Sequence, residues 1–144
     1  MSTHVTISSQ CNEEDFLSAV RIKGLLKYNM HQTAGKLKVP DMKIVRVARD
    51  EQGVIIGGAS GSTYLSSIEI EVLWVDEAYR GRHIATRLLG EVEDEARVAG
   101  CRLSHLVTYS FQAPQFYEKQ GYSICGVVDG FPDHIKLFML KKSL

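Results

Sequence analysis

The spacing of apolar residues predicts an alternation of strands and helices along the chain. Polar and apolar residues alternate from His4 to Ser8, which is typical of a strand. Asn12, Glu13 and Glu14 are residue types that are favoured at the start of a helix, and they precede apolar residues at helical spacing as far as Leu26. We therefore expect a strand and then a helix, followed over residues 28–40 by a loop that has room for one short helix.

Three apolar runs then predict a meander of three strands. Residues 43–50 and 54–65 flank the turn-like segment 50–53, a pattern typical of a hairpin, and residues 66–75 extend it. Glycines inside the second run indicate a bulge or a close approach of two backbones. These glycines are Gly57, Gly58 and Gly61.

The pattern changes to helical spacing after Arg80, with apolar residues on one face as far as Ala99 and with Gly100 suited to end the helix. Two pairs spaced four residues apart are expected on its exposed side: Arg87 with Glu91, and Glu93 with Arg97. A strand, a short helix and two further strands complete the pattern. They are predicted at residues 102–109, within 111–120, at 122–128 and at 134–140.

Length and composition limit the class of protein. The chain has 144 residues, of which 44% are hydrophobic and 24% charged, and a soluble domain of this size buries roughly two-thirds of its unfolded surface. No internal repeat or linker divides the pattern. We therefore predict a single domain over residues 1–144, an α/β fold of the α+β type in which helices cover a mixed sheet.

Charge and cysteine content give no sign of a nucleic-acid, membrane or metal partner. Basic and acidic residues are equal in number, at 17 each, so no overall field attracts a polyanion. The first residues lack the pattern of a signal peptide and no apolar run is long enough to span a bilayer, so a cytoplasmic location is expected. Three cysteines without a CxxC pair, and histidines without ligand spacing, predict reduced thiols and no structural metal.

The stretch VDEAYRGRHIATRLL, from Val75 to Leu89, concentrates cations where a strand enters a helix. A loop opening a helix directs its N–H groups and the positive end of the helix dipole to one point, which favours a phosphate or pyrophosphate. Arg80 and Arg82 would add charge-assisted contacts, and Gly81 would allow close backbone approach. Taken alone, such basic residues are more often simply solvated.

Two motifs resemble the GNAT N-acetyltransferase superfamily. Its coenzyme A loop has Arg or Gln, two residues, Gly, one residue, and Gly or Ala; this chain has the matching segment from Arg80 to Ala85, with His83 at the central glycine. The second motif follows the fifth predicted strand, with Ser110 where asparagine is common. Its matching residues are Ala113, Phe116, Tyr117, Glu118, Lys119, Gly121 and Tyr122. The two motifs and the order of elements cover almost the whole chain.

The resemblance implies a largely antiparallel mixed sheet of six to seven strands with about four helices. It also implies transfer of acetyl from acetyl-CoA to a primary amine of a small molecule or peptide, by direct attack in a ternary complex. The residues that it implies for coenzyme A binding are Leu73, Trp74, Val75, Arg80, Gly81, Arg82, His83, Ile84, Ala85, Thr86, Ser110, Ala113 and Phe116. Arg87 is expected to be a surface charge.

The chemistry that the resemblance implies selects catalytic candidates. A base is needed near the end of the strand before the loop, and Glu69 and Glu71 share one face of that strand. Their roles would be base and ammonium anchor, with Glu71 favoured; the alternative is a salt bridge or a solvated face. Tyr117 is in register to protonate the departing thiolate, or else packs as an ordinary tyrosine. A backbone N–H of Trp74 or Val75 would stabilise the oxyanion.

Other residues carry less weight. His31, Asp133 and His134 are candidates for the acceptor pocket, although loop or turn roles are more common, and Cys101 and Cys125 are expected to be packing residues. A non-catalytic acyl-CoA-binding or regulatory module on the same fold is the alternative function. Oligomeric state is not readable from the pattern; similar proteins are often dimers, so a homodimer is one expected assembly.

Overall fold

The computed structural model describes residues 4–37 and 42–144, which belong to two compact units, Met1–Val39 and Pro40–Leu144. The units are described separately below. The prediction of a single domain stays a prediction.

The first unit is helical. Helix α1 spans Glu13–Phe16, a segment with π-type hydrogen bonding spans Leu17–Leu26, and helix α2 spans Lys27–Gln32. The predicted helix start is confirmed, because the side chain of Asn12 accepts a hydrogen bond of 2.8 Å from the backbone N–H of Asp15.

One prediction for the first unit is wrong. Residues 4–8 form no strand; Val5 and Ile7 are 77% and 97% exposed, and an alternating pattern makes a strand only where a neighbouring strand accepts its hydrogen bonds. The short helix that the loop prediction for residues 28–40 left room for is present, since α2 continues to Gln32. The predicted loop at 38–40 lies outside the described residues.

The second unit is built on a six-stranded sheet. The strands are β1 Lys43–Arg49, β2 Ile55–Tyr64, β3 Ser67–Val75, β4 Leu103–Tyr109, β5 Ser123–Val128 and β6 Leu137–Ser143. Their order in the sheet is β1-β2-β3-β4-β6-β5, and every neighbouring pair is antiparallel except β3 with β4. The predicted meander, the later strands and the mixed, largely antiparallel sheet are therefore confirmed.

Helix α3, Ile84–Val98, packs on the first three strands, and α4, Pro114–Lys119, follows β4. The predicted apolar face of α3 is confirmed except at Ala99, which is exposed. It contributes four buried apolar residues to the core: Leu88, Leu89, Val92 and Ala96. Facing residues of the sheet include Ile44, Ile68 and Ile70. Gly100 ends the helix with φ +92°, as predicted.

The ion pairs predicted along α3 are wrong. Glu93 is buried and pairs with Lys142 of β6, while Arg97 pairs with Asp94 at 2.6 Å. Spacing along one helix cannot show that a lysine from a distant strand reaches a carboxylate.

Glu91 pairs with Arg46 of β1, at 3.3 Å, rather than with Arg87. Arg87 is exposed, as expected of a surface charge. Cys101 is buried as predicted, whereas Cys125 is exposed and donates to the carbonyl of Met139, because it lies on the edge strand β5.

The glycines of β2 allow two backbones to approach closely, as predicted. A Cβ on Gly61 would lie 2.7 Å from the carbonyl oxygen of Glu69, and one on Gly57 would lie 2.9 Å from that of Trp74. In its pairing with β1, β2 has one extra residue next to Gly57, so the predicted bulge is also present; the register shift after Ser60 instead adds a residue to β3.

Candidate active site

The site is a cleft where β3 and β4 separate. The two strands pair only over Ser67–Glu69 and Leu103–His105. Beyond that point they line opposite sides of a cavity of about 860 Å³, which we call the β3–β4 cleft. Among the described residues no strand pairs with the β4-facing edge of β3 beyond Glu69. Its free backbone groups are therefore available to a ligand.

Of the two glutamates of β3, Glu69 lies where the strand still pairs with β4, and Glu71 lies beyond that pairing, at a bulge. Ser60 pairs with Val72 and Gly61 with Ile70, so Glu71 is the extra residue on β3. A bulge redirects side chains, and here Glu71 and Val72 are both exposed in succession. Glu71 lines the cleft, whereas Glu69 is exposed and lies outside the lining.

Glu71 has two partners on the neighbouring strands. Its Oε2 pairs with the Nζ of Lys43 on β1, and its Oε1 accepts a 2.7 Å hydrogen bond from the hydroxyl of Ser62 on β2. The hydrogen bond from Lys43, followed by the one from Ser62, lowers the pKa of the Glu71 carboxyl. Glu71 is therefore ionised at neutral pH and accepts protons weakly, and it suits a cation better than it suits a strong base.

The loop after β3 is held by its own backbone and side chains. The carboxylate of Asp76 accepts a 2.9 Å hydrogen bond from the N–H of Ala78 within the short 3₁₀ turn Glu77–Tyr79. Arg80 donates from Nε to the carbonyl oxygen of Val75 at 3.1 Å. The strand end and the start of α3 are thereby tied together on one side of the cleft.

The helix begins later than the predicted change to helical spacing after Arg80, and the residue before it, His83, has an unusual backbone conformation. Helix α3 begins at Ile84, and His83 precedes it with φ 59° and ψ 21°, in the left-handed region. Gly81 also has positive φ, 77°. Glycine adopts this region freely, whereas another residue loses about 1–2 kcal/mol. His83 therefore holds a strained backbone where the family motif has glycine.

Two predicted cofactor residues lie outside the cleft lining. The guanidinium of Arg82 sits over the ring of Tyr79, 5.3 Å from its centroid. Ser110 is bonded to the backbone of Lys136: its hydroxyl accepts from that residue's N–H at 3.0 Å, and its own N–H donates to the carbonyl at 2.8 Å. Ser110 thus joins the end of β4 to the start of β6.

Tyr117 of α4 lines the cleft opposite β3. Its ring meets those of Phe116 and Tyr122 edge to face, with centroids 5.2 Å and 5.9 Å away. Burial raises the pKa of the Tyr117 phenol. The hydroxyl therefore stays protonated at neutral pH, as a proton donor must.

A buried polar network lies next to Tyr117, which it contacts through the ring of Tyr122. The hydroxyl of Tyr122 donates to Glu93 Oε2 at 3.1 Å and lies 2.6 Å from the hydroxyl of Ser104. Lys142 reaches the same Glu93 oxygen at 2.9 Å. Burial raises the pKa of the Tyr122 phenol. We call these four residues the Glu93 network.

The cleft brings together most of the predicted cofactor residues. These are Leu73, Trp74, Val75, Arg80, Gly81, His83, Ile84, Ala85, Thr86, Ala113 and Phe116. Sequence reasoning missed Ile70, Val72, Tyr79, Val107, Thr108, Phe111, Gln112, Lys119 and Gln120. The β4 residues among them line the cleft because β4 lies beside β3 in the sheet, and the local sequence pattern of either strand does not show which strands are neighbours.

Gln112, one of the missed residues, accepts from the N–H of Tyr109 at 2.8 Å and the hydroxyl of Thr108 at 3.0 Å. Its side chain therefore holds the turn between β4 and α4. Asp133 and His134 lie outside the lining, in a turn between β5 and β6 with φ 56° and 59°. His31 belongs to the first unit.

Within residues 4–37 and 42–144, no helix has the length and apolar character needed to cross a membrane. The same residues contain no cluster of three or more His, Cys, Asp or Glu side chains placed to hold a metal ion.

Comparison with known proteins identifies the family. The model of the acetyltransferase (GNAT) family matches residues 12–122, so the chain belongs to this family of acetyltransferases. Blasticidin-S acetyltransferase of Streptomyces morookaense is 35% identical over 95 residues, which cover 65% of this chain and 70% of that protein.

Solved structures agree with this assignment. An acetyltransferase from Bacillus cereus ATCC 14579 is 33% identical and has a TM-score of 0.84, covering 99% of this chain and 98% of that one. A structure from Bacillus anthracis str. Ames, in complex with acetyl coenzyme A, is 22% identical with a TM-score of 0.65 over 73% of this chain and 64% of that one. The second likeness shows the fold alone. The protein is an acetyltransferase of a family that uses acetyl-CoA.

Proposed function

We propose that the protein transfers acetyl from acetyl-CoA, bound in the β3–β4 cleft, to a primary amine of a small molecule or peptide in a ternary complex. One observation carries this proposal: a single cleft is lined both by an ionised carboxylate, Glu71, and by a protonated phenol, Tyr117. The reaction needs a group that attracts the ammonium and a group that protonates the thiolate.

The cleft contains groups that suit coenzyme A. The free backbone edge of β3 from Leu73 to Val75 would hold the amide-containing arm in a β-like manner. The loop N–H groups at Gly81 and after it, with the positive end of α3, would hold the pyrophosphate. Arg80 is partly committed to the Val75 carbonyl through Nε and retains its other guanidinium donors for phosphate.

In the proposed reaction, attack by the amine comes first and departure of the thiolate follows. The ammonium loses one proton to water beside Glu71, and the free amine attacks the thioester carbonyl carbon. A backbone N–H of Trp74 or Val75 stabilises the oxyanion while the C–N bond forms. The C–S bond then breaks, the thiolate takes a proton from Tyr117, and the nitrogen loses its second proton, which restores the phenol through water. One proton in total reaches solvent.

Small amines form the first acceptor panel. The formal net charge of zero gives no preference for a polyanion-bound substrate. A relative is named for blasticidin S, so that compound joins polyamines, amino acid derivatives and aminoglycoside-like antibiotics in the panel.

Calorimetric titration with acetyl-CoA, followed by an assay for thiol released in the presence of each amine, tests the proposal. We expect saturable acetyl-CoA binding and amine-dependent thiol release. No binding at millimolar acetyl-CoA would overturn the cofactor assignment. Binding without release for any amine would instead favour a non-catalytic module.

A further inference from the structure

The carboxylate that lines the cleft already holds a cation, which is the chain's own Lys43. Glu71 Oε2 pairs with the Nζ of Lys43, and Ser62 occupies Oε1. An ammonium from an acceptor in the cleft would compete with Lys43 for the charge of this carboxylate. We propose that the acceptor binds by replacing Lys43 on Glu71, so that Lys43 is an internal competitor that sets the affinity for ammonium-bearing acceptors. This inference rests on the proposed function.

The register of the sheet places the three groups together. Lys43 pairs with Ser62, and Ser62 pairs with Glu69, so one row crosses β1, β2 and β3. Glu71, two residues after Glu69, lies on the same side of the sheet, next to the row and within the cleft lining. Lys43 itself lies outside the cleft lining, so it can move away from Glu71 without entering the cleft.

Because the Lys43–Glu71 pair is partly exposed, replacing Lys43 by another cation costs little free energy. The side chain of Lys43 is 53% exposed and that of Glu71 is 33% exposed. Ion pairs of this kind contribute little, because both charges are solvated when separated. When Lys43 leaves, its ammonium is hydrated, and the incoming ammonium of the acceptor takes over the role of counter-ion.

Ser62 keeps the carboxylate oriented during the exchange. Its hydroxyl has a 2.7 Å contact with the oxygen that Lys43 does not use. A second partner therefore holds Glu71 after Lys43 has moved away. The acceptor consequently meets a fixed carboxylate rather than a freely rotating one, which lowers the entropy lost on binding.

The inference predicts a particular kinetic effect of Lys43→Met. For an aliphatic ammonium acceptor that the wild-type enzyme acetylates, KM should fall by about twofold to fivefold, the range that corresponds to a surface ion pair. The effect should appear in the acceptor KM rather than in kcat or in the KM for acetyl-CoA. Lys136→Met is the matched control, because it removes the same charge from an exposed lysine that has no ion pair among the described residues.

A quaternary ammonium homologue of the acceptor separates binding from chemistry, since it carries the charge but has no N–H to lose. Its competitive inhibition constant should fall by the same factor in Lys43→Met, and Ser62→Ala should raise it. An unchanged or higher inhibition constant in Lys43→Met, with wild-type turnover intact, would overturn the inference and leave the proposed function standing. Absence of amine-dependent turnover in the wild type would overturn both.

Discussion

Two lysine–glutamate pairs in the second unit hold the same charges in opposite surroundings. Lys43 and Glu71 lie on the open face of the sheet with side chains 53% and 33% exposed. Lys142 of β6 and Glu93 of α3 have side chains that are only 21% and 5% exposed. Water replaces a partner easily in the first pair and hardly at all in the second.

The difference distinguishes Glu71, whose carboxylate can bind a ligand cation, from the Glu93 network, which stabilises the structure. Glu71 has one oxygen that a ligand cation can take over, while Ser62 holds the other. Glu93 is enclosed by Lys142 and by the hydroxyl of Tyr122, which is bonded in turn to Ser104. Substitutions in the cleft should therefore change activity more than stability, and substitutions in the Glu93 network should do the reverse.

The largest expected effect is on stability, in Lys142→Met. This change leaves the buried Glu93 carboxylate without its counter-charge and should lower the free energy of unfolding by about 3 kcal/mol. Urea unfolding of the variant and of Lys43→Met measures the difference. The exposed pair should contribute less than about 1 kcal/mol.

The double variant Glu93→Met/Lys142→Met checks the cause, because replacing both partners removes the unpaired charge and should recover most of the loss. Equal losses in Lys142→Met and Lys43→Met would contradict the comparison.

The next effect is on turnover, in Tyr117→Phe. Removing the phenol should lower kcat by about 100-fold, a contribution typical of a positioned acid. The ring that packs on Phe116 and Tyr122 remains, so acetyl-CoA affinity should stay within about twofold of that of the wild type. Steady-state kinetics and calorimetry measure the two quantities. Tyr64→Phe on β2 is the control, and full turnover by Tyr117→Phe would rule out the proposed acid.

A smaller effect with the opposite sign is expected for His83→Gly. Glycine relieves the left-handed backbone at φ 59°, and after allowance for its greater freedom in the unfolded chain the variant should be about 0.5–1 kcal/mol more stable. Acetyl-CoA affinity should be unchanged or higher. His83→Ala should gain no stability, because alanine keeps the strain. A large loss of affinity in His83→Gly would show that the imidazole itself contacts the ligand.

The smallest expected effect is a pH dependence of stability from the exposed pair. The pKa of Glu71 is lowered in the folded chain, mainly by Lys43. Ionised Glu71 therefore stabilises the fold above its unfolded pKa, and this contribution is lost as pH falls below the ordinary carboxyl pKa and through the lowered value.

In Lys43→Met, the free energy of unfolding should fall less on acidification than in the wild type, by under about 1 kcal/mol. Ser62 and the exposed Glu69 lie next to Glu71. Both residues are present in the variant and in the wild type, so they do not account for the difference between the two curves. Identical acid unfolding curves for the variant and the wild type would argue against the ion pair in solution.

The fold was largely predictable from the chain because its periodicities are strong. The apolar face of α3, the three-stranded meander and the glycines of β2 follow from local spacing. The predicted strand at 4–8 failed because pairing is a property of two segments, and alternation in one of them does not supply the partner.

The candidate site was predictable only in part. The loop residues from Arg80 to Ala85 were found by motif, but the left-handed backbone of His83 was not, since no local pattern requires it. The burial of Glu93 depends on Lys142, which is 49 residues away. Glu71 was favoured over Glu69 from the sequence and it is the one that lines the cleft, but its contacts with Lys43 and Ser62 depend on strand pairing that local spacing does not contain.

The β3–β4 cleft is proposed to transfer acetyl to an amine held at Glu71. The most direct test is amine-dependent release of thiol from acetyl-CoA by the wild type and by Glu71→Gln. The account predicts release by the wild type, a loss of at least about tenfold in kcat/KM for the amine in Glu71→Gln, and unaltered acetyl-CoA binding. Equal amine-dependent release by the two proteins would contradict it.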